Sequence, residues 1–309
     1  VNDMTDADLA ARTAAAVDAG VGAARDLGLE VTGTTVLHDL FSVVLLLEPS
    51  PVVVRIPTVL PPSETVDTIA RRQADELAVT AWLDAAAVPV LRPSPLVPAR
   101  PVQRDGFSMT FWEYADEDRT AEPDYAANAE RTARLHAALR DYPGELGFLA
   151  TADPDGVAAA LDLLATRPDL LPADDLARAR AQWADLEPAV RSRAAFEARF
   201  PGVDLQPVHG DCPPANMFAG VDGPRFADFE LITLGPVEWD LTTLGPEMAA
   251  AYDRGAAAAG TRALRPDVLE FVDAVGVLRA ITALALVPQL PVLNQYLQPV
   301  VEQWRASGS

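Results

Sequence analysis

The sequence contains no lysine, so all 24 of its basic residues are arginines. Any step that normally uses a lysine must use a guanidinium, which stays charged and presents a rigid fork of donors in place of a mobile ammonium. Cysteine is nearly absent as well. A single Cys212 excludes an internal disulfide and a cysteine-rich metal site, and it reads as a small buried filler rather than a reactive thiol. No uncharged apolar run approaches the roughly 18 residues of a membrane span. The first residues, VNDMTDADLAARTAAAVDAG, are acidic where a secretory leader would be basic. A soluble, cytoplasmic protein without a membrane partner is expected. Basic charge is scarce too: 45 acidic residues give a net charge of −21, which argues against nucleic acid as a partner, because phosphate backbones attract basic surfaces. The same excess suits a cationic ligand, although acidic surfaces also keep proteins in solution.

What is present is 50% hydrophobic, enough for a sizeable core, and 309 residues suit two lobes better than one. Residues 5–27 predict a helix. VTGTTVL, FSVVLLLE and VVVRI, dense in β-branched residues, predict three consecutive antiparallel strands over residues 30–56. SETVDTIARRQADELAVTAWLDAAA predicts a helix capped by Ser63, with Val66, Ile69, Ala70, Leu77 and Ala81 on its apolar face and Glu76 at the edge of that face. VPVLRPSPLVP and FSMTFWEYA predict two further strands, giving a five-stranded sheet with one packed helix over the first 115 residues. After the polar connector DEDRTAEPD, residues 124–200 and 246–309 are helical in character, the latter broken by Pro266, Pro288, Pro291 and Pro299.

The densest chemistry lies in VHGDCPPANMFAGVDGPRFADFE. Its second half has a hairpin pattern with a turn centred on Asp222 and Gly223, which sets Asn216 nearly opposite Asp228 and Phe229. Asp211, Asn216 and Asp228 then meet at one end of the hairpin. An amide oxygen and a carboxylate from opposite strands suit Mg²⁺, a hard ion that takes its remaining ligands from phosphates and water. Asp211 is left for another task. Pro213 and Pro214 lack amide donors and fix φ, and Pro213 turns Cys212 away from helix, so the loop is stiff.

H-G-D-x-x-x-x-N followed by D-F-E resembles the protein-kinase set, in which an Asp accepts the proton of the acceptor hydroxyl while an Asn and a second Asp bind Mg²⁺. This variant is similar to the aminoglycoside phosphotransferase and choline kinase group of small-molecule kinases. FADFELITLGPVEWDL resembles the group's metal motif and the segment after it, and TARLHAAL resembles its helix before the insert. VVVRIP, ELAVTAWLDAAAVPVLRP and FSMTFWEYAD resemble its third strand, packed helix and interlobe hinge, so the likeness spans roughly residues 30–245. It implies an α+β, bilobal, protein-kinase-like fold. Residues 1–115 would form a nucleotide-binding N-lobe with a five-stranded antiparallel sheet. Residues 116–309 would form a mainly helical C-lobe holding the catalytic loop and the acceptor, with an insert at about 144–200 shaping the acceptor pocket.

The resemblance further implies transfer of the γ-phosphate of ATP, or of GTP, to a hydroxyl of a small molecule, with Mg²⁺ as cofactor. Asp211 becomes the catalytic base, and Asn216 and Asp228 become the metal ligands. Arg55, the only basic residue of VVVRIP, stands where relatives place a lysine, with Glu76 as its partner. The swap is not conservative. LHDLFSV would cover the phosphates without a glycine, using Ser42 and nearby backbone amides. Adenine would meet the backbone around Glu113 and Ala115, although aromatics there serve a core equally well. His209 is expected to pack and hydrogen-bond the loop, Asp240 to brace it, and Glu230 and Glu238 to lie nearer the acceptor. His38 and His136 are expected to be structural or surface residues. The acceptor stays open between an antibiotic, as in a resistance enzyme, and a metabolic sugar or amino alcohol, and the oligomeric state is not specified. Arg55 for lysine, the glycine-free loop and D-F-E for D-F-G also fit a nucleotide-binding protein without transfer activity.

Overall fold

The β-branched stretches after residue 30 do form a sheet. In the computed structural model, which describes residues 3–61 and 63–307, β1 (Val31–Asp39), β2 (Ser42–Pro49) and β3 (Val52–Pro57) are consecutive antiparallel strands. β4 (Val102–Arg104) and β5 (Phe107–Glu113) complete the order β1-β2-β3-β5-β4. Strand alternation divides β3 between two faces. Val52, Val54 and Ile56 bury against Ala16, Ala19, Ala23 and Ala24 of α1 (Asp6–Asp26). Arg55 points the other way, toward α2 (Val66–Ala85), where Gln73 is bonded twice to Ser108 of β5. The sheet therefore carries two helices rather than one.

Three local features differ from the sequence pattern. α2 is capped by Thr65, whose side chain and that of Thr68 satisfy each other's amides, and Ser63 instead donates to Asp153. Ala81 is exposed, and the buried face runs through Ile69, Gln73, Glu76, Leu77, Thr80 and Leu83, so Glu76 sits at its centre. VPVLRPSPLVP contributes only isolated bridges, Val90 to Phe226 and Pro93 to Trp112. Its prolines remove the donors that a ladder needs, and the fourth strand is Val102–Arg104 instead.

The C-lobe contains α3 (Tyr125–Leu139), α4 (Pro154–Leu164), α5 (Ala173–Arg191), α6 (Arg193–Arg199), α7 (Pro246–Ala259), α8 (Pro266–Thr282) and α9 (Leu293–Ala306) around one large apolar core. Pro266 opens α8 as the sequence suggests, but Pro299 lies inside α9 and does not break it. Two short sheets interrupt the helices: β6 (Gln206–Val208) with β9 (Thr233–Gly235), and the hairpin of β7 (Met217–Gly220) and β8 (Gly223–Phe226). Gln289 ties the lobes together, exchanging hydrogen bonds with the backbone of Leu60 while its own carbonyl accepts from Arg12. The segment before α2 thus docks on the C-lobe, and Val59 is buried in that lobe's core. No helix among the described residues is long and apolar enough to cross a membrane.

Candidate active site

The loop HGD is fixed by a carboxylate from another part of the chain. Asp240 Oδ1 accepts the Gly210 amide at 2.7 Å, and Oδ2 accepts the His209 amide at 2.8 Å. Both oxygens are fully buried, and Oδ2 also meets His136 Nε2 at 2.7 Å. His136 Nδ1 in turn meets the Tyr252 hydroxyl at 2.8 Å. A chain of polar groups therefore crosses the C-lobe core and ends on the loop that carries Asp211. Such a network is stabilising because each group is satisfied in a medium of low polarity. Of the two expected alternatives for His136, structural or surface, it takes the first: it is buried and links α3 to this brace. Asn128, two turns earlier on α3, clamps the same loop by donating to the Pro214 carbonyl at 3.0 Å.

Gly210 has no substitute in this arrangement. Its φ is +91°, and a Cβ there would lie 1.7 Å from the Leu231 carbonyl oxygen. His209 donates from Nε2 to the Ala227 carbonyl at 2.8 Å and packs on Phe229, which matches a packing role. Cys212 adopts a left-handed φ of +46°, and turns at Ala215 and Asn216 keep the following residues out of helix. Burial, with the charges of Asp211 and Asp240, pushes its thiol up to about 12. A group held protonated in this way is not a nucleophile.

Asn216 leaves the loop just before β7, and its Nδ2 donates to Asp211 Oδ2 at 2.9 Å. The hairpin turn lies one residue earlier than expected, which moves each cross-strand partner by two. Met217 pairs with Phe226 and Gly220 with Gly223, so Val221 and Asp222 form the turn. Continuing that register places Asn216 opposite Ala227. Asp228 follows in a left-handed conformation, φ +64°, which turns its side chain back toward β3. There Arg55 Nη2 lies 2.8 Å from Asp228 Oδ1 and 2.9 Å from Glu230 Oε1, while Nη1 lies 3.4 Å from Glu76 Oε1. Arg55 and Glu76 do come together, but the shorter contacts of Arg55 are with Asp228 and Glu230.

One guanidinium thus faces three carboxylates. Burial works against the charge of Arg55, but Glu230, Asp228 and Glu76 together hold it above its ordinary value. Glu76 is 1% exposed. Burial pushes its carboxyl up to about 8, against the pull of Arg55. A carboxyl raised in the folded state adds stability that is complete below its unfolded value near 4.5 and lost as pH rises through about 8. The metal-free protein is therefore expected to lose melting temperature steadily across that window, and Glu76→Gln to remove that component. A Gln variant whose pH profile overlays that of the wild type would refute it.

Beside this cluster lies a cavity of about 500 Å³, lined by Val44, Val53, Arg55, Glu76, Thr80, Trp112, Glu113, Ala115, Phe218 and Asp228 among others. That volume lies within the usual range of small-molecule sites, roughly 300–1,000 Å³. Glu113 and Ala115 both line it, but the Glu113 amide is already spent on the Arg92 carbonyl at 2.9 Å and the Tyr114 amide on that of Pro51 at 3.0 Å. Of the two expected positions, only Ala115 keeps its amide for a ligand. Ser42 is buried at the start of β2 and is not a lining residue, whereas Leu37 and His38 from the end of β1 are. His38 is thus an exposed residue at the mouth of the site.

Two acceptor-side expectations need correction. Glu230 belongs to the Arg55 cluster. Glu238 is wholly buried, and its oxygens are filled by Arg262 at 2.6 and 2.8 Å and by the Arg265 amide at 2.6 Å. It has no capacity left for an acceptor and secures the start of α8.

The oxygen donors fit a divalent cation of the Mg²⁺ type. No group of three or more His, Cys, Asp and Glu among the described residues could hold a metal by itself. Asp228 Oδ1, however, is buried without a hydrogen-bond donor despite its closeness to Arg55. Glu76 Oε2 is likewise without a donor. An all-oxygen set with excess negative charge and few protein ligands suits an ion that shares its coordination with phosphate oxygens.

Solved structures of known proteins have the same fold. Amicoumacin kinase hAmiN, solved with AMP-PNP and Ca²⁺, superposes with a TM-score of 0.62 at 15% identity, covering 97% of this chain and 96% of its own. The GDP and kanamycin complex of APH(2")-IIia gives 0.61 at 12% identity, covering 94% and 99%. Choline kinase LicA from Streptococcus pneumoniae gives 0.55 at 12% identity, covering 93% and 99%. No curated protein sequence matches the chain. The phosphotransferase enzyme family (APH) matches over residues 40–274, from the turn after β1 into α8. The match takes in Arg55 and Glu76 as well as the braced HGD loop and Asp228, and on that basis the chain belongs to the phosphotransferase enzyme family.

Proposed function

We propose that the protein transfers the γ-phosphate of ATP, or of GTP, to a hydroxyl of a small molecule. The observation that carries this reading is the joint placement of Asp211, Asn216 and the Arg55–Asp228 pair, with a cavity opening beside Arg55. The N-lobe, residues 1–115, would hold the nucleotide, with its base against the Ala115 amide and its phosphates toward Arg55. The C-lobe, residues 116–309, would hold the acceptor, with the helical insert of residues 144–200 along one side. Asp228 and Asn216 would be the protein ligands of Mg²⁺, which supplies charge neutralisation at the phosphates. Asp211 would orient the acceptor hydroxyl and accept its proton. Phosphoryl transfer asks mainly for positioning and charge stabilisation. A loop braced by Asp240 and clamped by Asn128 suits that demand. A cytoplasmic location is part of the same proposal.

Family membership leaves the acceptor open, since the neighbours include an amicoumacin kinase, a kanamycin complex and a choline kinase. An antibiotic acceptor, and with it a role in resistance, is one possibility within the proposal; a metabolic sugar or amino alcohol is the other. The test is magnesium-dependent ATP consumption across a library of hydroxyl compounds, with products read by ³¹P NMR and mass shift. A phosphorylated product is expected to appear. Tight nucleotide binding with no product from any acceptor would favour a binding protein without transfer activity.

A further inference from the structure

Every partly shielded arginine among the described residues but one has a hydrogen bond or an ion pair. The exception is Arg279, which is partly buried in the last turn of α8. Its guanidinium carbon sits 5.7 Å from the centre of the Trp239 ring, within cation–π range. Trp239 lies between the locked Glu238 and the loop-bracing Asp240, so the arginine is held against the support of the catalytic loop. Gly276, one turn earlier, makes this approach possible, because a Cβ there would lie 2.0 Å from a methyl group of Thr242.

The charges acting on Arg279 are those of Asp211, Asp153 and Arg72, and it bonds to none of them. Asp228 and Glu230 act instead on Arg55. Asp211, on the side where the acceptor would lie, is thus among the charges that reach Arg279, and Asp228 and Glu230 are not. A cation at a helix C-terminus is favoured by the macrodipole. That accounts for a positive charge there, but not for a fork of unspent donors fixed on an indole beside the loop. Planar, bidentate recognition of carboxylate or phosphate is what such a fork does best.

We infer that Arg279 is a specificity-determining residue, and that the acceptor carries an anionic group, carboxylate or phosphate, which Arg279 binds while the acceptor hydroxyl faces Asp211. The inference rests on the phosphotransferase reading and narrows its acceptor, against the cationic one that the net charge suggests. A net charge of −21 describes the whole surface, whereas ligand choice depends on the local field.

The experiment compares four probes on one scaffold, glucuronate, glucose 6-phosphate, glucose and glucosamine, by calorimetry with the nucleotide site filled by AMP-PNP and Mg²⁺. At least one anionic probe is expected to bind about tenfold or more tightly than the neutral and cationic ones. Glucuronate ahead identifies a carboxylate, and glucose 6-phosphate ahead identifies a phosphate. Arg279→Gln is expected to erase the preference and Arg279→Lys, which keeps the helix-end charge, to lose most of it. Glucosamine binding as tightly as the anions, no binding by any probe, or an unchanged preference in Arg279→Lys would overturn the inference, the last even where Arg279→Gln fails to fold. Failure of AMP-PNP to bind would count against the phosphotransferase reading alone, because the four-probe comparison is repeated without nucleotide.

Discussion

Asp211→Asn is expected to lower phosphoryl transfer by about 10²–10⁴-fold, the usual range for loss of a positioned general base, while AMP-PNP binds as in the wild type. The two effects separate because Asp211 is not a lining residue of the cavity beside Arg55, where the nucleotide would sit. Nor does the substitution disturb the scaffold. The brace acts on the amides of His209 and Gly210, and the second clamp acts on the carbonyl of Pro214. What changes is the side-chain oxygen that Asn216 now contacts at 2.9 Å, and with it the ability to take a proton. Single-turnover transfer and nucleotide affinity, measured on one preparation, check both halves. Turnover within about twofold of the wild type would remove Asp211 from the role of base, since a positioned base contributes far more than that.

Where the sequence is informative, the signal is local. The spacing from Asp211 to Asn216 and the D-F-E after it lie within one loop and one hairpin, so chain connectivity alone brings them near each other. The order of strand, helix and hairpin carries Arg55 to Glu76 for a similar reason. The errors have physical causes. Asp222-Gly223 looks like the centre of a two-residue turn, but Gly220 and Gly223 are the closing pair, so the turn moves by one residue and each cross-strand partner by two. Prolines within VPVLRPSPLVP leave an extended segment that bridges Phe226 of the C-lobe hairpin instead of completing the N-lobe sheet. Glu238 was unreadable because its partners Arg262 and Arg265 lie 24 and 27 residues downstream. The contact of His136 with Asp240 spans 104 residues, and no periodicity reports on such a pair. The same holds for Arg279, whose setting depends on how α8 packs against Trp239.

The lysine-free composition makes its strongest demand at Arg55. Arg55→Met is expected to reduce transfer by more than about 100-fold, in line with loss of one preorganised charge-stabilising group. Its effect on stability should depend on pH. Arg55 is the pull that opposes burial at Glu76, whose carboxyl is already raised to about 8. Removing that pull raises the carboxyl further in the folded state, while its unfolded value stays near 4.5. At pH 5 the folded protein holds the proton in either case, and the substitution costs little through this residue. Up to about pH 8 both proteins retain the proton and lose stability alike; above it the wild type releases the proton while the variant retains it, so only the variant goes on losing stability. By pH 9, one unit above the wild-type value of about 8, the cost through this residue should exceed that at pH 5 by about 1 kcal/mol, since one retained proton is worth about 1.4 kcal/mol per pH unit. Denaturant titrations of Arg55→Met at both pH values measure this, and the same pair in a Glu76→Gln background isolates it. With Gln at 76 the cost of Arg55→Met should be nearly independent of pH, because the remaining partners, Asp228 and Glu230, are 35% and 28% exposed and screened by water. A cost that still climbs with pH in that background would place the coupling with those two carboxylates, and Glu76 would then not be the residue that makes a guanidinium necessary on β3.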